Sequence, residues 1–463
     1  MPIWPMKVAA WRNMSIKRFA VMTLGAAMAI SLVGCDNVSS FSFSKDNSSL
    51  ENSDDAITDD EVQLTVAWWG SQERHNDTIA VLDLYAEKEN IILDYEYNSW
   101  NNYFDTLSSE YVGNSMPDVF QMSITDIIPY AQNGVLLELG PYIADGTIDT
   151  TYVDDSIIEN ITYNGHMCAY PSGINSVSVA YVDDYFAMAG LAVPQDGWTW
   201  SNYIKCAKTI YEKTGIPSDI PFLVEARWLF DSWIHSYGYS FFSEDGHSLP
   251  WTKDEALIEE ITAALTDIQT GIDEGYLISP EEGLNWMNAN DNPITEGKIA
   301  MSFILSNQYA TYSRSYGKAL GITTLPTLDN GSSSSMYQSV NLYWCISSSC
   351  KHPEEAAKVI NYLVNDIDAC EYIGTDRGVS VNAKIRDHLI ENAQDDIHTL
   401  NSLEYIKYIQ QTVDNLITAD PVASTDIYAL LKANYTAMAF HEMTPSECIS
   451  DFIKKADLLI GEQ

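Results

Sequence analysis

Short apolar runs and segments of helical periodicity alternate from residue 62 to residue 121. The apolar runs at 62–69, 91–97 and 117–121 are predicted strands, and residues 77–90 and 103–112 are predicted helices. Strand, helix, strand, helix, strand is the pattern of parallel β-α-β units, because parallel neighbours need a long crossover that a helix provides. The sequence therefore predicts an α/β fold.

The loops that follow these strands are the predicted binding region. Open α/β sheets bind their ligands in the crevice beyond the carboxyl ends of the strands. Residues 69–70, 98–100 and 121–123 follow or close the three predicted strands. We therefore expect site-forming side chains at these positions.

The later chain is predicted to be richer in helix. Amphipathic patterns cover residues 200–213, 253–274, 353–364 and 402–416, and no internal repeat is found. About 400 residues follow position 62, which is enough for two domains or one large one.

The cysteines do not form a metal-binding pattern. None of the seven lies in a C-x-x-C pair and no histidine is spaced as a zinc ligand, so we predict neither a metal nor a cofactor. Cys345 and Cys350 can pair if the chain turns between them, and they can equally be free buried thiols.

The charge of the chain is strongly one-sided. Asp and Glu number 65 against 24 Lys and Arg, which gives a formal net charge of −41. Such a surface repels nucleic acid and anionic lipid, and it favours a neutral or cationic ligand over an anionic one. We therefore expect no nucleic-acid partner.

The N-terminus has the layout of a secretory signal peptide. A basic stretch at 14–18 precedes an apolar run at 19–33, and small Gly34 and then Cys35 follow. This junction resembles the lipobox of bacterial lipoproteins, which implies a signal peptide over 1–34 and lipidation of Cys35. The acidic, Ser-rich residues 36–61 are then a tether on the extracytoplasmic face of the cell membrane. A plain transmembrane anchor is the alternative, but the apolar run is shorter than the ~20 residues that such a helix needs.

Eight short segments, spread in order over the chain after residue 62, resemble motifs of one known family. The segments are SMPDV (115–119), YAQNGVLLEL (130–139), NGHMCAYP (164–171), AYVDDYF (180–186), GLAVPQDGWTW (190–200), SWIHSYG (232–238), EGKIAM (296–301) and GTDRG (374–378). They are similar to segments of the extracellular solute-binding proteins of ABC sugar importers, the group that includes maltose-binding protein. Two positions depart from the pattern, Ser380 where proline is usual and Val182 where asparagine is common.

The resemblance implies a two-lobe clamp of the type II periplasmic-binding-protein kind, with a hinge between the lobes. Lobe 1 would comprise 62–172 and 302–344, and lobe 2 would comprise 173–301 and 345–463. Such a protein is expected to be a lipid-anchored monomer that captures a carbohydrate, here an oligosaccharide, and delivers it to the membrane subunits of an ABC permease.

Sugar sites combine aromatic faces with fixed hydrogen-bonding groups, because a sugar has apolar C–H faces ringed by hydroxyls. The resemblance and the strand-end loops together give five stacking candidates and six polar candidates. A tryptophan at a strand end is more often a residue of the core or of lobe packing. The candidates are Trp69, Trp100, Trp228, Trp233 and Trp344, with Arg74, Asn98, Gln121, Asn175, Asn307 and Arg377.

No motif that carries chemistry is found, so we predict a binding protein and not an enzyme. There is no G-x-S-x-G elbow and no P-loop, and His441-Glu442 lacks the second histidine of a zinc protease helix. Two alternatives remain open, a tethered carbohydrate sensor or adhesin without transport, and a secreted carbohydrate-active enzyme.

Overall fold

A computed structural model describes residues 62–160, 162–163, 165–223, 225–243, 245–285, 292–413, 421 and 424–461. The predicted signal peptide, the lipidation of Cys35 and the 36–61 tether lie outside the described residues. Among the helices that are described, none combines the length and the apolar character that crossing a bilayer requires.

Eleven strands are present in the described residues. They are β1 (Gln63–Trp69), β2 (Ile92–Asn98), β3 (Val119–Ser123), β4 (Thr162–Tyr163), β5 (His166–Met167), β6 (Tyr170–Asn175), β7 (Val177–Tyr181), β8 (Met301–Leu305), β9 (Gly321–Thr323), β10 (Ser339–Ile346) and β11 (Val379–Ser380).

Seventeen α-helices connect and cover these strands in the same ranges. They are α1 (Gln72–Glu89), α2 (Trp100–Gly113), α3 (Ile124–Gln132), α4 (Gly140–Ala144), α5 (Asp155–Asn160), α6 (Asp183–Ala189), α7 (Trp200–Thr214), α8 (Ala226–Ser236), α9 (Glu255–Glu274), α10 (Pro280–Asn285), α11 (Ser306–Tyr316), α12 (Pro353–Asn365), α13 (Ile367–Ile373), α14 (Ala383–Asn392), α15 (Ile397–Thr412), α16 (Ser424–Ala439) and α17 (Pro445–Gly461).

The larger sheet has six strands in the order β11-β6-β10-β3-β1-β2. Strand β1 is parallel to both β2 and β3, so the three predicted strands and their two crossover helices form the expected β-α-β units. Strand β10 is antiparallel to β3 and to β6, which makes the sheet mixed. The α/β prediction is confirmed.

A second sheet is antiparallel and has the order β8-β7-β9. Strand β6 belongs to the larger sheet and β7 to the smaller, so the chain changes sheet at Ser176. The Ser176 hydroxyl donates to the Tyr337 carbonyl at 2.7 Å, and the Ser306 hydroxyl accepts from the Ser176 N–H at 3.1 Å. These bonds fix the crossing between the two sheets.

The sheets do not follow the predicted lobe boundaries in two ranges. Residues 379–380 belong to the predicted second lobe, yet β11 pairs with β6 in the larger sheet. Residues 302–344 are predicted to belong to the first lobe, yet β8 and β9 pair with β7 in the smaller sheet, while β10 lies in the larger one. A strand belongs to the sheet whose strands it hydrogen-bonds to, and the resemblance of sequence motifs does not show which strands pair. The residue boundaries of the two lobes stay a prediction.

Helix α1 begins earlier than its predicted start at residue 77. Ser71 is its N-cap, and the Ser71 hydroxyl accepts from the Arg74 N–H at 3.2 Å. The first turn is polar, so apolar periodicity gave no signal there. The helix ends at Asn90, whose φ of 54° is the left-handed conformation that asparagine tolerates.

The six cysteines in the described residues are all free thiols, so Cys345 and Cys350 do not form a disulfide. The Cys345 side chain is fully buried in β10, and burial raises the pKa of its thiol. No group of His, Cys, Asp and Glu in the described part of the chain is arranged to hold a metal ion.

Candidate functional site

Two tryptophans meet where the first two strands of the sheet end. The rings of Trp69, the last residue of β1, and Trp100, the first of α2, lie 5.1 Å apart in an edge-to-face arrangement. Trp69 is only 5% exposed and also contacts Tyr103 and Phe104, whereas Trp100 is 51% exposed. Trp69 therefore supports Trp100, which presents an aromatic surface to solvent.

Asn98 ends the neighbouring strand at the same edge. It is the register partner of Trp69 in the parallel pairing, and its carbonyl accepts from the Gly70 N–H at 3.1 Å. The structure therefore brings Trp69, Asn98 and Trp100 together, as the strand-end argument predicts.

Arg74 joins the start of α1 to the loop of residues 374–378. Its Nε donates to Asp376 Oδ2 at 2.6 Å, its Nη2 to the Asp376 carbonyl at 2.5 Å and its Nη1 to the Trp69 carbonyl at 3.3 Å. Gly70 makes room for this side chain, because a Cβ there would lie 2.3 Å from Arg74 Cδ. The arrangement fixes Arg74 with little rotational freedom.

Arg377, the next residue in that loop, points into the protein. Its Nη2 donates to Thr78 Oγ1 at 2.8 Å, its Nε to Gln121 Oε1 at 3.4 Å, and its guanidinium carbon lies 5.4 Å from the centre of the Trp344 ring. Burial and the neighbouring Arg74 charge lower the pKa of Arg377 to about 9. In this conformation Arg377 holds the loop against the sheet.

Gln121 and Trp344 lie beneath that loop and are register partners on β3 and β10. Both are almost fully buried, and Gln121 Nε2 has no hydrogen-bond partner in the described residues. Asn175 is also buried, at the end of β6, where its Oδ1 accepts from the Ser306 hydroxyl at 3.5 Å. These three side chains form the floor under the 374–378 loop.

A cavity of about 420 Å³ adjoins the other side of the loop. Its walls come from the start of α1, from α11, from the end of α13 with the loop that follows, from α14, and from α15 with the residue before it. Asn307 and Asp376 are both wall residues, and Asn307 Oδ1 is buried with no hydrogen-bond partner in the part of the chain described. Tyr372 is also in the wall and is 55% exposed.

Carboxylates dominate the charge of the cavity. Asp396 is bonded to Arg314 at 2.5 Å; burial opposes its ionisation, but hydrogen bonds from Arg314 and Thr399 outweigh burial and lower its pKa to about 2. Asp77 behaves differently, because burial and the nearby Asp376 charge raise its pKa. The walls thus contain one acid whose ionised form is stabilised and one whose ionised form is disfavoured.

The two candidates on α8 lie in other surroundings, and neither lines the cavity. Trp233 is 0% exposed and packs against Trp200 and Phe230, with ring centroids 5.4 and 5.6 Å away. Its ring offers no face to a ligand in this conformation. Trp228 is half-buried and meets the Phe222 ring edge-on at 5.3 Å.

Three residues that sequence reasoning did not select belong to the site. Asp376 lies inside the GTDRG segment and its position beside Arg377 was the available signal. Tyr372 and Asp77 lie on helices, and only the packing of α1 against α13 places them at one cavity.

Comparison with known proteins adds a family match. The family model described as bacterial extracellular solute-binding protein matches residues 74–368. Three solved structures show the same fold at low identity. The oligogalacturonide-binding protein of Yersinia enterocolitica, in complex with saturated digalacturonic acid, is 20% identical over 87% of this chain and 99% of its own, with a TM-score of 0.72. An ABC substrate-binding protein of Listeria monocytogenes in complex with cycloalternan is 15% identical over 87% and 100%, with a TM-score of 0.73. The cyclic alpha-maltosyl-1,6-maltose binding protein of Arthrobacter globiformis is 15% identical over 87% and 100%, with a TM-score of 0.69.

Proposed function

The chain belongs to the bacterial extracellular solute-binding proteins, and we propose that it is the sugar-binding subunit of an ABC importer. In this proposal an oligosaccharide binds between two lobes and is delivered to a membrane permease. Closure of the lobes buries the ligand, and the ligand's contacts shift the open–closed equilibrium. Lipidation at Cys35 would hold the protein, a monomer, on the extracytoplasmic face of the membrane.

One observation carries the proposal: a half-exposed Trp100 and a fixed Arg74–Asp376 pair lie at the same sheet edge. Arg74 contacts both the Trp69 carbonyl and Asp376, and Asp376 lines the cavity. An aromatic surface beside immobilised hydrogen-bonding groups is what a sugar ring requires. The saccharide ligands named for the Yersinia and Arthrobacter proteins support the same ligand class.

The proposal includes a binding role without catalysis. No catalytic motif is found in the sequence, and the family is one of binding proteins. A tethered sensor or adhesin would use the same site, so uptake of labelled sugar in cells with and without the gene separates it from an importer.

A thermal-shift screen of the purified protein against mono- and oligosaccharides tests the proposal, with amino acids and peptides as controls. A ligand at a hundredfold excess over Kd stabilises the folded state by about 2.7 kcal/mol, which is readily detected. We expect a shift with one saccharide class. A shift with peptides alone would contradict the sugar assignment, and turnover of glycosides at enzymatic rates would contradict the binding role.

A further inference from the structure

We propose that Phe222 is a positioning residue, and that it presents Trp228 to the saccharide as a second aromatic surface on the side of the smaller sheet. The inference rests on the proposed function and adds a surface to the one that Trp100 forms at the edge of the larger sheet. It is carried by the strained backbone of Phe222, by the buried hydrogen bonds that maintain the strain, and by the contact between the Phe222 and Trp228 rings.

The backbone of Phe222 has a φ of 42°, which lies in the left-handed region. Asn90 and Asn114 adopt this conformation at the ends of α1 and α2, where asparagine tolerates it. A bulky aromatic residue rarely does, because the neighbouring carbonyl oxygen crowds its Cβ. Strain of this kind persists only where the surrounding structure enforces it, and it is concentrated at functional sites. The conformation of Phe222 therefore indicates a functional position.

Buried hydrogen bonds hold the backbone that leads to Phe222. The Tyr203 hydroxyl donates to the Asp219 carbonyl at 2.8 Å, and the Tyr435 hydroxyl donates to the Pro221 carbonyl at 2.7 Å. Both tyrosines are fully buried, and they belong to different helices, α7 and α16. The segment is thus anchored by two separate elements, which is the condition for maintaining a strained residue.

The Phe222 ring contacts two other rings. Its centroid lies 5.5 Å from that of Phe303 on β8 and 5.3 Å from that of Trp228, with an angle of 89° to the Trp228 ring. Phe222 and Phe303 are buried, whereas Trp228 is half-buried. The arrangement repeats that of Trp69 and Trp100, in which a buried ring also meets a more exposed one edge-on. In both pairs the buried ring restrains its partner and leaves part of that partner open to solvent.

The strain at Phe222 is explained if the direction of its ring matters. The Pro221 carbonyl is anchored, so rotation of Phe222 to an ordinary φ near −60° would turn its side chain by roughly 100° relative to Pro221. The ring would then lose its contact with Trp228. The left-handed conformation therefore keeps the two rings together despite the backbone strain.

Trp228 lies close to the point at which the chain passes between the sheets. The Tyr337 hydroxyl donates to the Trp228 carbonyl at 3.4 Å, and the Tyr337 carbonyl accepts from the Ser176 hydroxyl at 2.7 Å. Ser176 is the residue at which the chain changes sheet, and small-molecule sites occur preferentially between such units. The Phe222–Phe303 contact puts Trp228 on the smaller-sheet side of this region.

The first test is fluorine NMR of the intact protein labelled with fluorotryptophan, with α-1,4-linked and β-1,4-linked glucose trisaccharides as probes. The Trp228 resonance is identified by its loss in Trp228→Phe. We expect a trisaccharide that binds to shift the Trp228 and Trp100 resonances, and we expect Phe222→Leu to shift the Trp228 resonance without any saccharide. Phe186→Leu is the matched control, because Phe186 is buried and meets the Tyr181 ring edge-on at 5.4 Å. It should leave the Trp228 resonance in place.

The second test is a double-mutant cycle measured by isothermal titration with the same probes. We expect Trp228→Ala to weaken binding about tenfold and Phe222→Leu to weaken it about fivefold. In the Trp228→Ala background, Phe222→Leu should change the affinity less than about twofold, because it acts through Trp228. Phe186→Leu should leave the affinity unchanged.

Additive effects of Phe222→Leu and Trp228→Ala would overturn the inference and leave the sugar-binding function intact. An affinity that Trp228→Ala does not change would do the same, and this result does not depend on whether Phe222→Leu folds. Binding of neither trisaccharide by the parent protein would overturn both the inference and the proposed function.

Discussion

Arg74 Nε and Asp376 Oδ2 lie 2.6 Å apart although 302 positions separate the residues in the sequence. The pair ties the first strand–helix junction to the 374–378 loop, and Arg74 Nη1 also donates to the Trp69 carbonyl at 3.3 Å. The Arg74 side chain is largely buried while Asp376 is more exposed, which leaves the carboxylate accessible from the cavity.

Asp376→Ala should weaken saccharide binding by about tenfold and change the free energy of unfolding by only about 1 kcal/mol. A partly exposed ion pair contributes little to stability, whereas the lost carboxylate removes both a ligand contact and the restraint on Arg74. Calorimetric titration with the saccharide found in the screen measures the first effect, and denaturant unfolding measures the second.

Lys208→Ala is the control for that variant. Lys208 pairs with Glu274 at the same distance, 2.6 Å, but on the exposed surface away from the cavity. It should leave ligand affinity unchanged. If the two variants weaken binding equally, or neither does, the Arg74–Asp376 pair has no role in binding.

Trp100→Ala should mainly reduce ligand affinity, whereas Trp233→Ala should mainly reduce the free energy of unfolding. Trp100 is half-exposed, so its loss should cost less than about 1.5 kcal/mol of stability while reducing affinity at least tenfold. Trp233 is fully buried, so its loss should cost about 3–5 kcal/mol without changing the affinity of the molecules that remain folded. Urea unfolding and titration below the unfolding transition give both quantities. A binding loss confined to Trp233→Ala would reverse these roles.

The sequence predicts that the strand-end candidates lie together, because short apolar runs and period-3.6 segments locate the ends of strands and helices. Trp69, Asn98 and Trp100 follow from that rule, since parallel strands end at one edge. The same rule placed the α/β fold correctly. Strand register was not needed for either prediction.

The cavity could not be predicted in this way. Its walls join residues near position 73 to residues near 310, 372 and 396, and no local pattern shows which helix faces meet. The sequence could not distinguish an exposed tryptophan from a buried one for a related reason. Trp100 and Trp233 look alike in sequence, and only packing decides that one is exposed and the other enclosed.

Because of Asp219, the free energy of unfolding should decrease as the pH rises from about 4 to about 7. Burial raises the pKa of Asp219 to about 7, although the Ser302 hydroxyl donates to it at 2.9 Å. In this window the unfolded chain is ionised at Asp219 and the folded protein is protonated there, so the stability contribution declines by about 1.4 kcal/mol per pH unit. Below the window both states are protonated, and above it the full penalty, about 4 kcal/mol, is present.

Asp219→Asn isolates this effect, because an amide cannot ionise but keeps an acceptor for Ser302. The difference in unfolding free energy between the variant and the parent protein should increase in favour of the variant from pH 4 to pH 7 and then become constant. Chemical denaturation at four pH values measures the difference. A difference that does not vary with pH would show that Asp219 is already ionised in the folded protein.

Gly378→Ala should displace the 374–378 loop and weaken binding along with stability. Gly378 has a φ of +96°, and a Cβ there would lie 2.9 Å from Asn175 Nδ2 and 3.0 Å from the Ile174 carbonyl. The change adds a steric clash to a backbone cost of about 1–3 kcal/mol, and it moves the neighbouring Arg377 and Asp376 from their contacts.

Gly134→Ala is the matched control, since its φ is +68° and no atom lies within 4 Å of the added Cβ. The control should show only the backbone cost in unfolding experiments and unchanged saccharide affinity in titration. Equal stability losses with no change in affinity would mean that the close contact with Asn175 does not position the loop.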